Sequence, residues 1–309
     1  MLAWTLQHLA LATLLAAVVY VACRIGRLGP VSRHALWVIV LVKLVTPPFI
    51  VVQTPWTWPA PIARMDSSLG GTPVVDRSPA DSWSVADPAI AERAAGGAAL
   101  GRAVSWESMA LAIWIQGGVG IALVQIIRIA RLRARVRRGV DAPPVLVEEV
   151  ESLARQLGVR APAARVVSGI TSPLVWAVGR PMLLWPEAFQ SPLPDGCRRG
   201  LLVHELAHLK RRDHWVGWIE LAAGCLWWWN PLFWYVRAHV REEAELACDG
   251  WVINTLPDGR RAYAEALLAV CAGVPVNPTP MPALGVSPGS RRALERRLVM
   301  IMQIGRAHV

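Results

Sequence analysis

Long apolar blocks alternate with basic segments in the first half of this chain. Residues 1–23 contain no Asp, Glu, Lys or Arg. As a helix that length spans a hydrocarbon core of about 30 Å. A signal peptide is the alternative reading, but the segment lacks a basic start and an obvious small-residue cleavage site. Arg24, Arg27 and Arg33 follow, then a second block from Ala35 to Val52, which carries Lys43 and Pro47-Pro48. A lysine within a span is functional, paired inside a bundle, or snorkelling to the interface. Ser108 to Ile127 is a third uncharged block, and six arginines stand between Arg128 and Arg138. Basic residues collect on the cytoplasmic side of membrane spans. Three spans therefore put both arginine segments inside. Residues 53–105, rich in Pro, Ala, Gly, Ser and Asp, become an outside loop with little core. The division predicted is a three-span membrane region over 1–127 and a cytoplasmic-side domain over 128–303.

The second half changes period. Val147, Val150, Leu153 and Leu157 recur at helical spacing, and Gly158 ends that helix. Ala164 to Val167, Leu174 to Val178 and Met182 to Trp185 read as short strands between Gly and Pro turns. If Ser172 to Pro181 includes an edge strand, it can hold an extended peptide by strand addition; an ordinary core hairpin is the alternative. Asp195 or Gly196 opens the next helix. Arg260 to Cys271 is helix-like, and a Pro-rich loop and a basic, apolar stretch from Ser287 to Ile301 follow. The fold class predicted is mainly α: membrane helices beside a cytoplasmic domain with a small β-sheet.

Within the helix after Asp195 lies His204-Glu205-Leu-Ala-His208. Residues four apart share a helical face, so both imidazoles can reach one cation, with Glu205 beside the open coordination position. This is the zinc-hydrolase arrangement, in which the metal lowers the pKa of water to about 7. A surface helix carrying two unrelated histidines would give the same five letters. Downstream, Glu245 and Asp249 are also four apart, ahead of the apolar Trp251, Val252 and Ile253. Glu245 could complete a two-His, one-Glu site, with Asp249 orienting one ligand. Glu242 and Glu243 read as solvated. Cys248 reads as a small buried residue, and His214 and His239 as bystanders.

The stretch from Trp215 to Val236 poses a problem, because its hydropathy is that of a membrane span. A single crossing would put Glu245 on the opposite side from His204. Asn230-Pro231 breaks a helix. Each arm, 215–229 and 231–245, is then roughly 22 Å long, short of a bilayer core. The prediction is a helical hairpin over 215–245 that dips into the membrane and returns Glu245 to the histidines. Glu220 then has to face protein or water.

Composition agrees with a membrane protein. The 309 residues are 54% hydrophobic and 17% charged, with mean hydropathy +0.38. The net charge of +10 comes from arginines placed beside apolar runs, so no direct nucleic-acid partner is expected. Five cysteines show no paired spacing and read as free thiols.

His-Glu-Leu-Ala-His, then Trp229-Asn-Pro231, then Glu245-x-x-Cys-Asp249, resembles the BlaR/MecR family of integral-membrane zinc peptidases, and more distantly HtpX-type and CAAX-prenyl proteases. The resemblance implies a zincin-like metalloendopeptidase in a bacterial-type cell membrane, with its site facing the cytoplasm. It implies zinc on His204, His208 and Glu245, catalysis by Glu205, and a role for Asp213 in orienting a ligand. Ser172 to Pro181 resembles the family's strand region before the metal helix. Arg297, in a stretch that resembles the family's closing segment, polarises the substrate or braces the site, or else is a cytoplasmic-face arginine. The implied role is regulated proteolysis in signalling, on a transcriptional repressor or on the protein itself. A constitutive processing peptidase and a non-catalytic membrane transducer are the rival readings. The terminal 304–309 reads as a non-native tail, after which family members continue to a further span and, in some, a sensor domain.

Overall fold

The computed structural model describes residues 2–46, 105–190, 194–272, 284–285 and 291–303. The loop expected over 53–105 (all but Ser105), the last six residues of the second apolar block, and the tail over 304–309 lie outside the described residues. The chain divides into two compact units. One comprises Met1–Pro47 and Trp114–Val309; the other is Pro48–Ile113, whose described residues form the first turns of a long helix.

Helix α1 runs over Leu2–Ile25 and α2 over Pro30–Val45. Pro30 supplies a pre-set φ at the first turn, and the extended backbone at Thr46 ends the helix ahead of Pro47. Helix α3 spans Trp106–Arg138. Two helices are long and apolar enough to cross a membrane, Thr5–Ile25 within α1 and Trp106–Arg138. Of the expected second span only 35–46 is described, at the end of α2, a helix of 16 residues or about 24 Å in all.

The small sheet follows. Its strands are β1 (Val140–Asp141), β2 (Ala163–Val167), β3 (Leu174–Trp176), β4 (Met182–Pro186) and β5 (Leu284–Gly285), in the order β1-β2-β4-β3-β5. β2 and β4 run parallel, and the remaining pairs are antiparallel. Helix α4, Pro144–Leu157, packs one apolar face on this sheet and ends at Gly158, whose φ of 67° suits glycine. The strand read as a possible peptide-binding edge is not an edge. β3 is flanked by β4 on one side and by β5 on the other, with Val175 opposite Leu284.

Helix α5, Asp195–Arg211, is central. Every residue from Gly200 to His208 is buried, which is why it shows no polar face. It packs against α4, β3, α7 (Pro231–Thr255) and α8 (Arg260–Ala272). Gly200 admits Tyr263 of α8, since a Cβ there would sit 2.7 Å from the ring. Helix α9, Arg291–Gln303, closes the domain against α7 and α8.

Helix α6, Asp213–Leu226, and α7 form the hairpin. Asn230 caps α7 by accepting a hydrogen bond from the Leu232 amide at 2.9 Å, and Pro231 takes the first helical position. Three indoles tie down the tip. Trp227 donates to the Leu44 carbonyl at 2.7 Å, Trp114 of α3 to the Leu226 carbonyl at 2.8 Å, and Trp228 to the Trp114 carbonyl at 3.2 Å. Gly118 makes room on α3, where a Cβ would lie 2.7 Å from the Cys225 carbonyl oxygen. The hairpin thus lies along α3 and shares an apolar core with α1 and α2, built from residues such as Trp37, Leu41, Phe233 and Val236. Its two arms start and finish at the same end, so Glu245 comes back to α5.

Candidate metal centre

His204 and His208 lie one turn apart on buried α5, their rings edge to face with centroids 5.0 Å apart. Glu245 of α7 faces both. Its Oε2 is 3.4 Å from His204 Nε2, and its Oε1 is 3.7 Å from His208 Nε2. One ligand atom from each of the three lies within 4.8 Å of the others.

The opposite ring nitrogens are already engaged. His208 Nδ1 donates to Asp213 Oδ2 at 2.9 Å. His204 Nδ1 lies 2.9 Å from the Tyr263 hydroxyl and 3.2 Å from Asp249 Oδ1, and Tyr263 in turn donates to Asp249 at 2.6 Å. Carboxylate acceptors at Nδ1 place the proton there and turn the Nε2 lone pairs toward Glu245. Both Nε2 atoms are buried and make no hydrogen bond, and neither does Glu205 Oε2. Orphaned buried acceptors cost free energy unless something meets them. Two imidazole nitrogens and a carboxylate converging on one point are a donor set suited to zinc, so the residues present fit that ion.

A second cluster, His208, Asp213 and Cys248, also falls within ligand distance. It uses His208 Nδ1, the nitrogen already bonded to Asp213, and burial pushes the Cys248 thiol well above its ordinary pKa. A protonated thiol is a poor ligand, so the Nε2 side is the stronger site.

Charge in the pocket is balanced by Arg297. The sequence left open an arginine at the cytoplasmic face, but the structure buries it, with 5% of its surface exposed. Its Nε and Nη2 both donate to Asp249 at 2.7 Å, and its Nη1 is 2.8 Å from Glu245 Oε2. Burial alone would raise both carboxyl pKa values. The Arg297 guanidinium and His204 overcome it, holding Glu245 down at about 2 and Asp249 far below the carboxylate range. At His204 burial is outweighed by the Asp249 and Glu245 carboxylates, which hold it up at about 9. Burial raises Glu205 to about 7, against the pull of the two histidines and a hydrogen bond with the Val175 backbone of β3.

The other candidates separate. Asp249 and Asp213 each hold one histidine. His239 packs with its ring tilted against Trp37 and Tyr235, and His214 likewise against Trp215. Glu243 is not a solvated acid: it is buried, 4.0 Å from Arg33 and 3.9 Å from Arg296. Lys43 Nζ lies 3.4 Å from His8 Nδ1. Tyr263 belongs to no motif in the sequence. Its one signal is a hydroxyl on the apolar stripe of α8 shared with Leu267 and Val270.

A buried two-His, one-Glu centre on adjoining helices, with a glutamate one position along, defines a metallopeptidase-like site. The sequence matches the BlaR1 peptidase M56 family over residues 3–301, and the chain belongs to that family. It is 28% identical over 134 residues to the regulatory protein BlaR1 of Bacillus licheniformis, and 25% identical over 140 residues to that of Staphylococcus aureus. Those stretches cover 43% and 45% of this chain but only 22% and 24% of the relatives' lengths.

Asp213→Asn should lower zinc affinity about 10- to 100-fold, because a neutral amide, which can present either its oxygen or its NH2, replaces the carboxylate that fixes the His208 tautomer. Zinc competition against a chromogenic chelator measures this; unchanged affinity would show that Asp213 does not orient His208.

Proposed function

We propose that this protein is a membrane-embedded zinc endopeptidase acting in signal transduction. The observation that carries the reading is the convergence of His204 Nε2, His208 Nε2 and Glu245 on one buried point, with the unpaired carboxylate oxygen of Glu205 beside them. His204, His208 and Glu245 would hold the ion. When bound, zinc supplies a Lewis acid that polarises the scissile carbonyl and acidifies water.

The protein's own groups do the rest. Glu205 takes a proton from the attacking water as its oxygen bonds to the carbonyl carbon. It then delivers that proton to the amide nitrogen as the C–N bond breaks. Asp213 and Asp249, the latter with Tyr263, keep both imidazoles in the ligating tautomer. Arg297 offsets the negative charge of Glu245 and Asp249. The substrate is a protein segment in extended form; β3 lies between β4 and β5, so it offers no free edge to that segment.

The apolar reach of α1 and α3 and the six arginines that end α3 support a division into membrane region and cytoplasmic peptidase domain. Trp residues at the hairpin tip and the short arms of α6 and α7 favour a hairpin that enters the bilayer and returns. Cysteines introduced at Arg211 and Arg241 should therefore label from the same side in sealed vesicles; labelling from opposite sides would defeat the shared metal site.

Two substrates are in view, a transcriptional repressor and the chain itself. β5 favours the second as an additional event, since Leu284-Gly285 already pairs with β3 and lies against α5 and α6. The test is zinc content measured beside cleavage of the protein's own 273–290 peptide and of unrelated peptides, by the detergent-purified chain. One zinc per chain with cleavage supports the reading; a protein that takes up no zinc is not a zinc peptidase.

A further inference from the structure

The two histidines are supported by matching sets of side chains. At His204, Nδ1 lies 3.2 Å from Asp249 Oδ1, Arg297 donates to both oxygens of that carboxylate, and the Tyr263 hydroxyl is a further donor to it. At His208 other residues fill the same three places. Asp213 Oδ2 accepts from Nδ1 at 2.9 Å. Arg211 Nε donates to the same carboxylate, at 3.1 Å from Oδ2 and 3.3 Å from Oδ1. The Cys248 thiol of α7 lies 3.9 Å from Oδ2 as a weak third donor. Each imidazole thus has a carboxylate, each carboxylate an arginine, and each set one further O–H or S–H. Arg211 stands to Asp213 and His208 as Arg297 stands to Asp249 and His204.

The corner between α5 and α6 brings Arg211 and Asp213 together. Arg211 ends α5 and Asp213 opens α6, so Arg212 alone joins the two helices. Its φ is 58° and its ψ 33°, and it is the one non-glycine with a positive φ among the described residues. A side chain disfavours that left-handed conformation, which persists where the surroundings fix it. The same corner returns the Arg212 N–H to the His208 carbonyl. The Arg211 side chain is 10% exposed and that of Asp213 3%. An arginine at a helix end, free by position to reach water, is instead turned in on a buried carboxylate. Charge-assisted bonds in such surroundings hold geometry far better than exposed pairs do.

The geometry points to Arg211 as a positioning residue for the metal centre: it fixes the Asp213 carboxylate, so that His208 keeps its proton on Nδ1 and presents Nε2 to the ion. The inference rests on the zinc reading of His208. Arg211 contributes none of the converging ligand atoms and acts through Asp213. The sign of its effect separates this role from simple charge. Deleting a cation near the centre would, by Coulomb interaction alone, favour Zn2+. Deleting the brace does the opposite, because Asp213 is then free to turn away from His208.

The test measures zinc affinity of the full chain in non-ionic detergent, by competition with a chromogenic chelator. Arg211→Met should weaken zinc about tenfold. Arg211→Gln, whose amide nitrogen can stand where Arg211 Nε does, should fall between Arg211→Met and the unaltered chain. Arg199→Gln removes a cation from an exposed position of the same helix and should not weaken zinc. A double-mutant cycle tests the route: in an Asp213→Asn background, Arg211→Met should cost less than about a further twofold. If Arg211→Met is not recovered folded, Arg211→Gln runs the same cycle. Unchanged or tighter zinc in Arg211→Met would overturn the inference. So would losses that simply add in the double variant, since Arg211 would then act through the fold at large and not through Asp213. An unaltered chain that takes up no zinc overturns the peptidase reading and this inference together; normal uptake with no response at Arg211 overturns this inference alone.

Discussion

Glu205→Gln should reduce peptide cleavage by about 10³-fold while leaving one zinc per chain. The two halves of that result have separate causes. Glutamine keeps the shape of the side chain but cannot accept the proton of the attacking water or return it to the leaving nitrogen. The metal is unaffected because the convergent atoms belong to His204, His208 and Glu245. Glu245→Ala is the mirror case: it removes a ligand and should weaken zinc directly, with cleavage falling in step. Metal analysis and single-turnover cleavage on the same preparations distinguish the two. Loss of zinc from Glu205→Gln would make Glu205 a ligand. Full activity in that variant would move the proton transfer to another group.

The parts of the site that could be read in the sequence are those set by local spacing. His204 and His208 share a helix face because they are four apart, and so do Glu245 and Asp249. The return of Glu245 required only the break at Asn230-Pro231 and two arms too short to cross. Other parts depend on packing between distant elements. Tyr263 reaches His204 because Gly200, one turn before it on α5, has no side chain. No spacing rule links those three positions. Arg297 did carry a signal. Leu294, Leu298 and Ile301 mark the core-facing stripe of α9, and Arg297 falls within it. An arginine in that position requires buried anions, and the Glu245/Asp249 pair supplies them. For Ser172 to Pro181 the core-hairpin alternative holds and the edge alternative fails: β3 pairs with β4, and Leu284-Gly285, two residues after a Pro-rich stretch of sequence, have too little pattern to announce that they cover its other side.

The buried arginine yields the largest expected change in stability. Arg297→Met keeps most of the side-chain volume and removes the charge. Asp249 is then left fully buried, and Glu245 partly so, without their principal cation. Breaking a buried ion pair from one side costs about 3–5 kcal/mol, because the remaining charge stays in a poor solvent. Added zinc should restore part of this, since the ion would meet the Glu245 carboxylate that Arg297 had offset, while Asp249 would remain uncompensated. Arg297→Lys should fall between, keeping the charge but losing the forked bond to Asp249. Arg261→Met, which deletes an exposed pair with Glu265, serves as the comparison and should change little. Apparent unfolding midpoints in detergent, with and without zinc, give the ranking. If Arg297→Met behaves like Arg261→Met, Arg297 does not brace the site, and the low pKa values of Glu245 and Asp249 must be maintained by the histidines alone.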